Sequence, residues 1–354
     1  MTTYILRRLL IMPITVLGVT VMIFGMLQFL SPEARSALYV REIPKNDAAM
    51  DAIIKRYGLR DPIYVQYWRW LMGAYDSQAG HMVGGILRGD LGYSRSASEP
   101  VASLIARRFP ATVELALWSV VPILSVGIWL GVVAAVNHNR LIDHLARLFS
   151  IVGSSLPTFV FGLLMLMIFY ANLHWLPPGR LSDQFKSVID SPAFASYTHL
   201  ITVDSLLNRR PDIFWDALKH MLLPILTLSY ISWATLMRVS RSAMLETLRQ
   251  DYVTTARAKG LPEKTVINGH ARPNAMIPVA TLAGFTIIGL LSGVIITESV
   301  FAYPGMGRAA ADAAVQLDVV TVLAFALVNS IILILAFLVV DVMYAFLDPR
   351  IRLQ

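Results

Sequence analysis

The chain has 354 residues, of which 56% are hydrophobic and only 15% charged, with a net charge of +7 and no cysteine. Ordinary soluble domains carry roughly 25% charged residues, so a water-covered globule of this length is excluded and a bilayer has to supply the apolar surroundings. The lack of cysteine excludes disulfides, thiolate metal sites and thiol chemistry. The basic excess flanks apolar runs, which marks topology rather than nucleic-acid binding.

A membrane span needs about 20 mostly apolar residues, and six runs qualify. The first, 9–30, follows Arg7 and Arg8 and is too long for a signal-peptide core. Ala34-Arg35-Ser36 is a poor cleavage site, so an uncleaved span is expected. The segment 31–110 follows. Residues 42–57 have the pattern of a short amphipathic helix stopped by Gly58, and Tyr64, Tyr67, Trp68 and Trp70 come after it. These aromatics fit either a docking surface for an outer partner or anchoring at the membrane interface. The second and third spans are expected at 111–136 and 148–170. The fourth, 220–237, is the weakest because Pro224 interrupts it, although neighbouring helices can satisfy backbone groups freed by a proline. The fifth and sixth are expected at 277–300 and 319–347.

Loop charges give an orientation. Between the fourth and fifth spans stand Arg238, Arg241, Arg249, Arg257, Lys259, Lys264 and Arg272, against Glu246, Asp251 and Glu263. The 137–147 loop has Arg140 and Arg147 against Asp143, whereas acidic residues outnumber basic ones in 171–217 and 301–318. The positive-inside rule then places both termini and the 238–278 loop in the cytoplasm. The 31–110 segment is too long for that rule to weigh.

No G-x-x-x-x-G-K-[ST] phosphate loop, H-E-x-x-H zinc motif or G-x-S-x-G elbow occurs. The chain therefore has no recognisable ATP site, cofactor site, metal site or catalytic set of its own. Glu114, Glu298 and Asp341 fall near span ends, where hydration is expected, and no acid falls near a midplane, as a proton relay would require. Gly289 and Gly293 form a G-x-x-x-G whose expected role is close helix packing.

The most informative stretch begins at Asp251. Leu245, Leu248, Tyr252 and Ala256 recur at spacings of three and four, which puts them on one helical face. Arg257 and Lys259 close that helix, Gly260 can take the left-handed position after it, and Pro262 prevents its continuation. Pro262 is also a favourable first residue for a second short helix, expected to run to about Ala271 before Pro273. A solvated basic loop would explain the charge, but not these caps or the small residues Ala256, Ala258 and Gly260. A helix–turn–helix that docks on a partner explains both.

With these residues in view, the chain resembles the permease subunits of peptide/nickel-class ABC importers, the dipeptide and oligopeptide permeases. Their subclass pattern Tyr-Val-x-x-Ala-Arg-Ala-Lys-Gly-Leu is intact from Tyr252 to Leu261. The broader importer pattern, E-A-A-x-x-x-G followed by I-x-L-P, fits in spacing, with departures at Thr254, Thr255, His270 and Arg272. Further matches are Tyr4 to Leu10, Arg56 to Pro62, Gly89 to Ser94, Arg108 to Thr112, Glu298 to Gly307 and Asp348 to Arg352. The stretch 181–216 is an enlarged loop without an assigned role.

The resemblance implies an all-α integral membrane protein with six transmembrane helices and the type I ABC importer transmembrane-domain fold. It implies an N-terminal span at 1–30, an extracytoplasmic segment at 31–110 and a five-span core at 111–354 containing a coupling loop at 238–278. Thr254, Thr255, Ala256, Arg257, Ala258, Lys259, Gly260 and Leu261 would contact an ATPase. The implied partners are a second permease, two ATPase subunits that bind ATP and Mg, and an extracytoplasmic substrate-binding protein. The implied location is the prokaryotic cytoplasmic membrane, and the fifth span is the leading contributor to the substrate path. Dipeptides or short oligopeptides are the leading cargo, with nickel, glutathione or oligosaccharides as alternatives. A secondary transporter would show midplane acids and an inverted repeat, and a membrane enzyme would show a clustered catalytic set. Neither pattern is present.

Overall fold

Apolar runs fix the long helices. The computed structural model describes residues 2–40, 46–76, 80–291 and 294–347. Helix α1 is Thr2–Leu27, followed by α2, Asp47–Arg56, and α3, Ile63–Met72. Asn46 caps α2 by accepting from the Ala48 N–H at 3.0 Å, which satisfies an otherwise orphaned donor. The expected start of that helix, before Asn46, lies outside the described residues. Two short hairpins follow, β1 (Ala74–Asp76) with β2 (His81–Val83), and β3 (Tyr93–Ser94) with β4 (Glu99–Pro100).

Helix α4 is Val101–Val136 and α5 is Leu141–Ser155. Helix α6, Thr158–Met165, continues as a π-helical turn over Leu166–Asn172. Helices α7, Asp183–Ile189, and α8, Ile201–Leu207, occupy the enlarged loop. Then come α9, Pro211–Leu248; α10, Asp251–Ala258; and α11, Arg272–Leu291. The chain ends with α12, Ile295–Val300; α13, Met306–Val315; and α14, Val319–Leu347.

Among the described residues, five helices are long and apolar enough to cross a membrane, and α5 with α6 makes a sixth as a bent pair. The third span is not the continuous 148–170 helix expected. It breaks between Ser155 and Thr158 with a bend of 102°. Pro157 is the cause, because the residue before a proline is pushed out of the helical region, and Leu156 is extended at φ −96°, ψ 128°. The fourth span is longer than expected. Pro224 sits inside α9 without ending it, buried among neighbours, where its lost hydrogen bond can be tolerated. At 1.5 Å per residue, α9 reaches about 57 Å, well beyond the roughly 30 Å hydrocarbon core. The fifth span is divided into α11 and α12.

The chain separates into two compact units. One comprises Ala111–Pro304 with Val339–Gln354. Its main core joins Leu115 and Ile123 of α4, Met221 and Ile225 of α9, Val279 of α11, and Tyr303. The other comprises Thr2–Pro110 with Gly305–Leu338. There Ile23, Phe24 and Leu27 of α1 meet Trp70 of α3 and Leu327 of α14.

Among the described residues of this chain no neighbour packs on Gly289. A Cβ there would meet nothing within 4 Å, and Gly293 lies outside the described residues. A close approach within the chain is made by Gly127 and Gly131 of α4 against α9. A Cβ at Gly131 would stand 2.4 Å from the Ser240 Cβ and 2.8 Å from the Met237 carbonyl oxygen.

Candidate functional site

Helix α9 stops at Leu248, the chain turns at Arg249 and Gln250, and α10 begins at Asp251, an acidic residue that suits a helix N-terminus. The expected common face of Leu245, Leu248, Tyr252 and Ala256 is therefore split. The turn resets the helical phase, so Val253 and Ala256 are buried while Tyr252 is exposed. Gly260 takes φ +78°, and its N–H donates to the Arg257 carbonyl at 2.9 Å. The Leu261 N–H donates to the Ala256 carbonyl at 3.4 Å. This is the glycine-terminated closure expected from the sequence. Arg257 donates two bonds to Glu263 across the turn, at 2.8 and 3.1 Å. Both side chains are well exposed, so the pair adds little energy but holds the turn in register. Past Pro262 the chain does not stop at Pro273. Glu263–Thr265 passes through a π-helical turn, Val266–Ala271, straight into α11.

Of the eight predicted contact residues, Thr254, Thr255, Arg257, Ala258, Lys259, Gly260 and Leu261 are exposed at this turn. Ala256 is not, being 6% exposed and facing its own chain. It joins Val253, Val266, Ala271 and Ala275 against Met244 of α9 and Ala135 of α4. The turn is thus a small polar tip cemented by an apolar plug to three long helices.

A second tie holds the same end of this unit. Asp143, fully buried, accepts from Arg241 at 2.6 and 2.8 Å and from the Asn139 N–H at 3.0 Å. Arg147 and His138 stand 3.8 and 3.6 Å away. Asp143 opens α5 and Arg241 lies in α9, so the connection after α4 is bound to the helix that leads into the turn.

At the other end of α4, the expectation that Glu114 and Glu298 are hydrated is not met. They are 1% and 0% exposed. Glu114 accepts from the Thr202 N–H and hydroxyl at 2.6 and 2.8 Å, and from Arg180 at 2.6 and 3.1 Å. Glu298 accepts from the Thr112 hydroxyl at 2.7 Å. Arg180 stands just before the enlarged loop and Thr202 within it, and Leu181 and Phe194 of the loop pack against Ile213 and Ala217 at the start of α9. The structural role of Arg180 and Thr202 is to neutralise and hydrogen-bond a carboxylate buried in α4, since an unpaired buried charge is costly. Glu114 and Arg180 are 66 residues apart, and no local pattern announces such a pairing.

The comparisons with known proteins bear on this arrangement. Residues 127–353 match the family model of the binding-protein-dependent transport system inner membrane component, and residues 1–116 match the model of its N-terminal part. The chain belongs to this family. Among curated relatives, it is 40% identical over 306 residues to a probable D,D-dipeptide transport system permease protein of Escherichia coli (strain K12), covering 86% of this chain and 85% of the relative. It is 35% identical to a di/tripeptide transport system permease protein of Pseudomonas aeruginosa, over the whole of both chains. It is 32% identical to an oligopeptide transport system permease protein of Bacillus subtilis, over 99% of this chain and all of that one. As a family member it is an integral membrane transporter subunit, and its mostly helical architecture, with up to six spans among the described residues, agrees with the class expected from the sequence.

Proposed function

We propose that the chain is one of two permease subunits of an ATP-driven, binding-protein-dependent importer that moves dipeptides or short oligopeptides across the cytoplasmic membrane by alternating access. Both termini and the 254–261 turn face the cytoplasm, as the clustering of arginine and lysine around that turn supports. The observation that carries the reading is the exposed tip Thr254, Thr255, Arg257, Ala258, Lys259, Gly260 and Leu261, backed by a plug shared with α4, α9 and α11. Such a tip delivers a push from a partner to three long helices at once. ATP and Mg bind on two ATPase subunits, whose closure displaces the tip and opens the bundle to the opposite side. A binding protein presents the cargo. The peptide class follows from the names of the relatives, all permeases of peptide transport systems.

The test is co-expression with the partner permease, ATPases and binding protein, followed by reconstitution and uptake of a radiolabelled dipeptide such as D-Ala-D-Ala or Gly-Leu. ATP-dependent peptide uptake is expected, together with co-purification of the ATPases. A chain that purifies without ATPases, or an assembled complex whose ATP hydrolysis responds to none of a peptide panel, would overturn the assignment.

A further inference from the structure

The aromatic run of α3 plays no part in coupling, and its side chains point two ways. Trp70 is buried and Tyr67 half-buried against Ile23, Phe24 and Leu27 of α1 and Leu327 of α14. Phe24 meets the rings of Tyr67 and Trp70, each at 5.4 Å. The Tyr67 hydroxyl shares a 2.9 Å hydrogen bond with the Thr20 hydroxyl of α1. On the opposite side Tyr64, Trp68 and Met72, spaced by four, are 70%, 53% and 44% exposed. Gln66 and Arg69, bonded to Arg35 and Asp61, supply the polar groups of the helix, while its exposed aromatic stripe is a surface that does not suit bulk water.

Thr20 fixes the depth of α3. It lies inside the membrane span, seven residues before Leu27 ends the helix. At 1.5 Å per residue, Tyr67 reaches about 10 Å below the end of α1. Over the same turns Leu17, Val21, Met22 and Met26 of α1, a helix long and apolar enough to cross a membrane, are exposed as well. We infer that α3 is an interfacial helix, lying in the headgroup–acyl boundary at the end of α1 with Tyr64, Trp68 and Met72 turned to lipid. Tyrosine and tryptophan suit that boundary because an apolar ring ends in one polar group. The partner of this face is the bilayer, not a binding protein. The inference holds whichever side of the membrane α1 ends on and does not depend on the cargo.

The chain has no cysteine, so single introduced thiols report alone. Tyr64→Cys and Trp68→Cys, spin-labelled in the assembled importer, would be placed in phosphatidylethanolamine/phosphatidylglycerol vesicles. Power saturation with oxygen and with a water-soluble nickel chelate reads their surroundings. Oxygen access is expected to exceed chelate access at both positions, at a depth of about 5–10 Å. Lys55→Cys, at an exposed position of α2, is expected to show the reverse. Met72→Cys replaces either variant that fails to assemble. Chelate access exceeding oxygen access at 64 and 68 overturns the inference. So does exclusion of both reagents, which means a protein subunit covers the face, or protection that appears only with binding protein.

Discussion

Gly260 occupies φ +78° with nothing within 4 Å of where a Cβ would stand, so the cost of replacing it is conformational rather than steric. Gly260→Ala is expected to cost about 1–2 kcal/mol, the penalty for a left-handed L-residue. Gly260→Pro goes further, because proline fixes φ near −65° and lacks the N–H that bonds Arg257. An importer assembled with this variant is expected to hydrolyse ATP while uptake per ATP falls several-fold, and an unchanged ratio of uptake to hydrolysis would count against the coupling role. Asp143 tests the neighbouring tie. Asp143→Ala leaves Arg241 without its buried partner, and such losses run to about 3 kcal/mol. The thermal midpoint of the purified chain should drop, and adding Arg241→Ala should cost much less than the two single losses combined, because the pair acts as one unit.

Among the helices, packing of α4 on α9 rests on Gly127, where a Cβ would press on the Leu236 side chain, and on Gly131, where it would collide with backbone as well as with Ser240. Gly131→Ala is expected to destabilise by about 1–3 kcal/mol through overpacking, whereas Gly289→Ala, in open space, should stay within about 0.5 kcal/mol. Thermal unfolding of the two variants side by side separates them, and equal losses would contradict this packing. The glycine spacing of three intervening residues occurs at both places in the sequence. Only the partner surface tells them apart. The break at Pro157 was in principle legible, since Leu156 precedes a proline, but hydropathy averaged over a window hides a kink between two apolar segments. The phase shift between α9 and α10 is hidden for a similar reason. Periodicity from Leu245 to Ala256 assumes one helix, and the turn at Arg249 and Gln250 breaks it.

Across the whole chain, buried carboxylates tie distant segments together. In the unit containing α1, Asp318 accepts from the Ser94 and Ser96 hydroxyls and the Ser96 N–H, each at 3.0 Å, and from the Thr321 hydroxyl at 2.7 Å. Burial pushes its carboxyl up, but the Ser96 and Thr321 hydrogen bonds outweigh burial and hold it below the ordinary 3.8. A lowered folded value means the unfolded chain takes up the proton first. The stabilisation is therefore complete above about pH 4 and is lost as pH falls through the folded value. Thermal midpoints measured from pH 6 down to pH 2.5 should fall more steeply at the acid end for the native chain than for Asp318→Asn, and parallel curves would remove Asp318 as the cause.

By itself the sequence determined the apolar runs that make the long helices, the basic cluster around the turn and the glycine that closes it. Each is a property of residues close together in the chain, where hydropathy, capping and backbone freedom act. The tertiary structure alone decided that Ala256 plugs the turn rather than facing outward, that Glu114 is answered by Arg180 and Thr202, and that Asp143 answers Arg241. It also split the aromatics of α3 between the protein interior and an exposed face. These follow from which surfaces meet across 66 or 98 residues of chain, and a buried charge or a close helix contact has no local signature until its partner is in place.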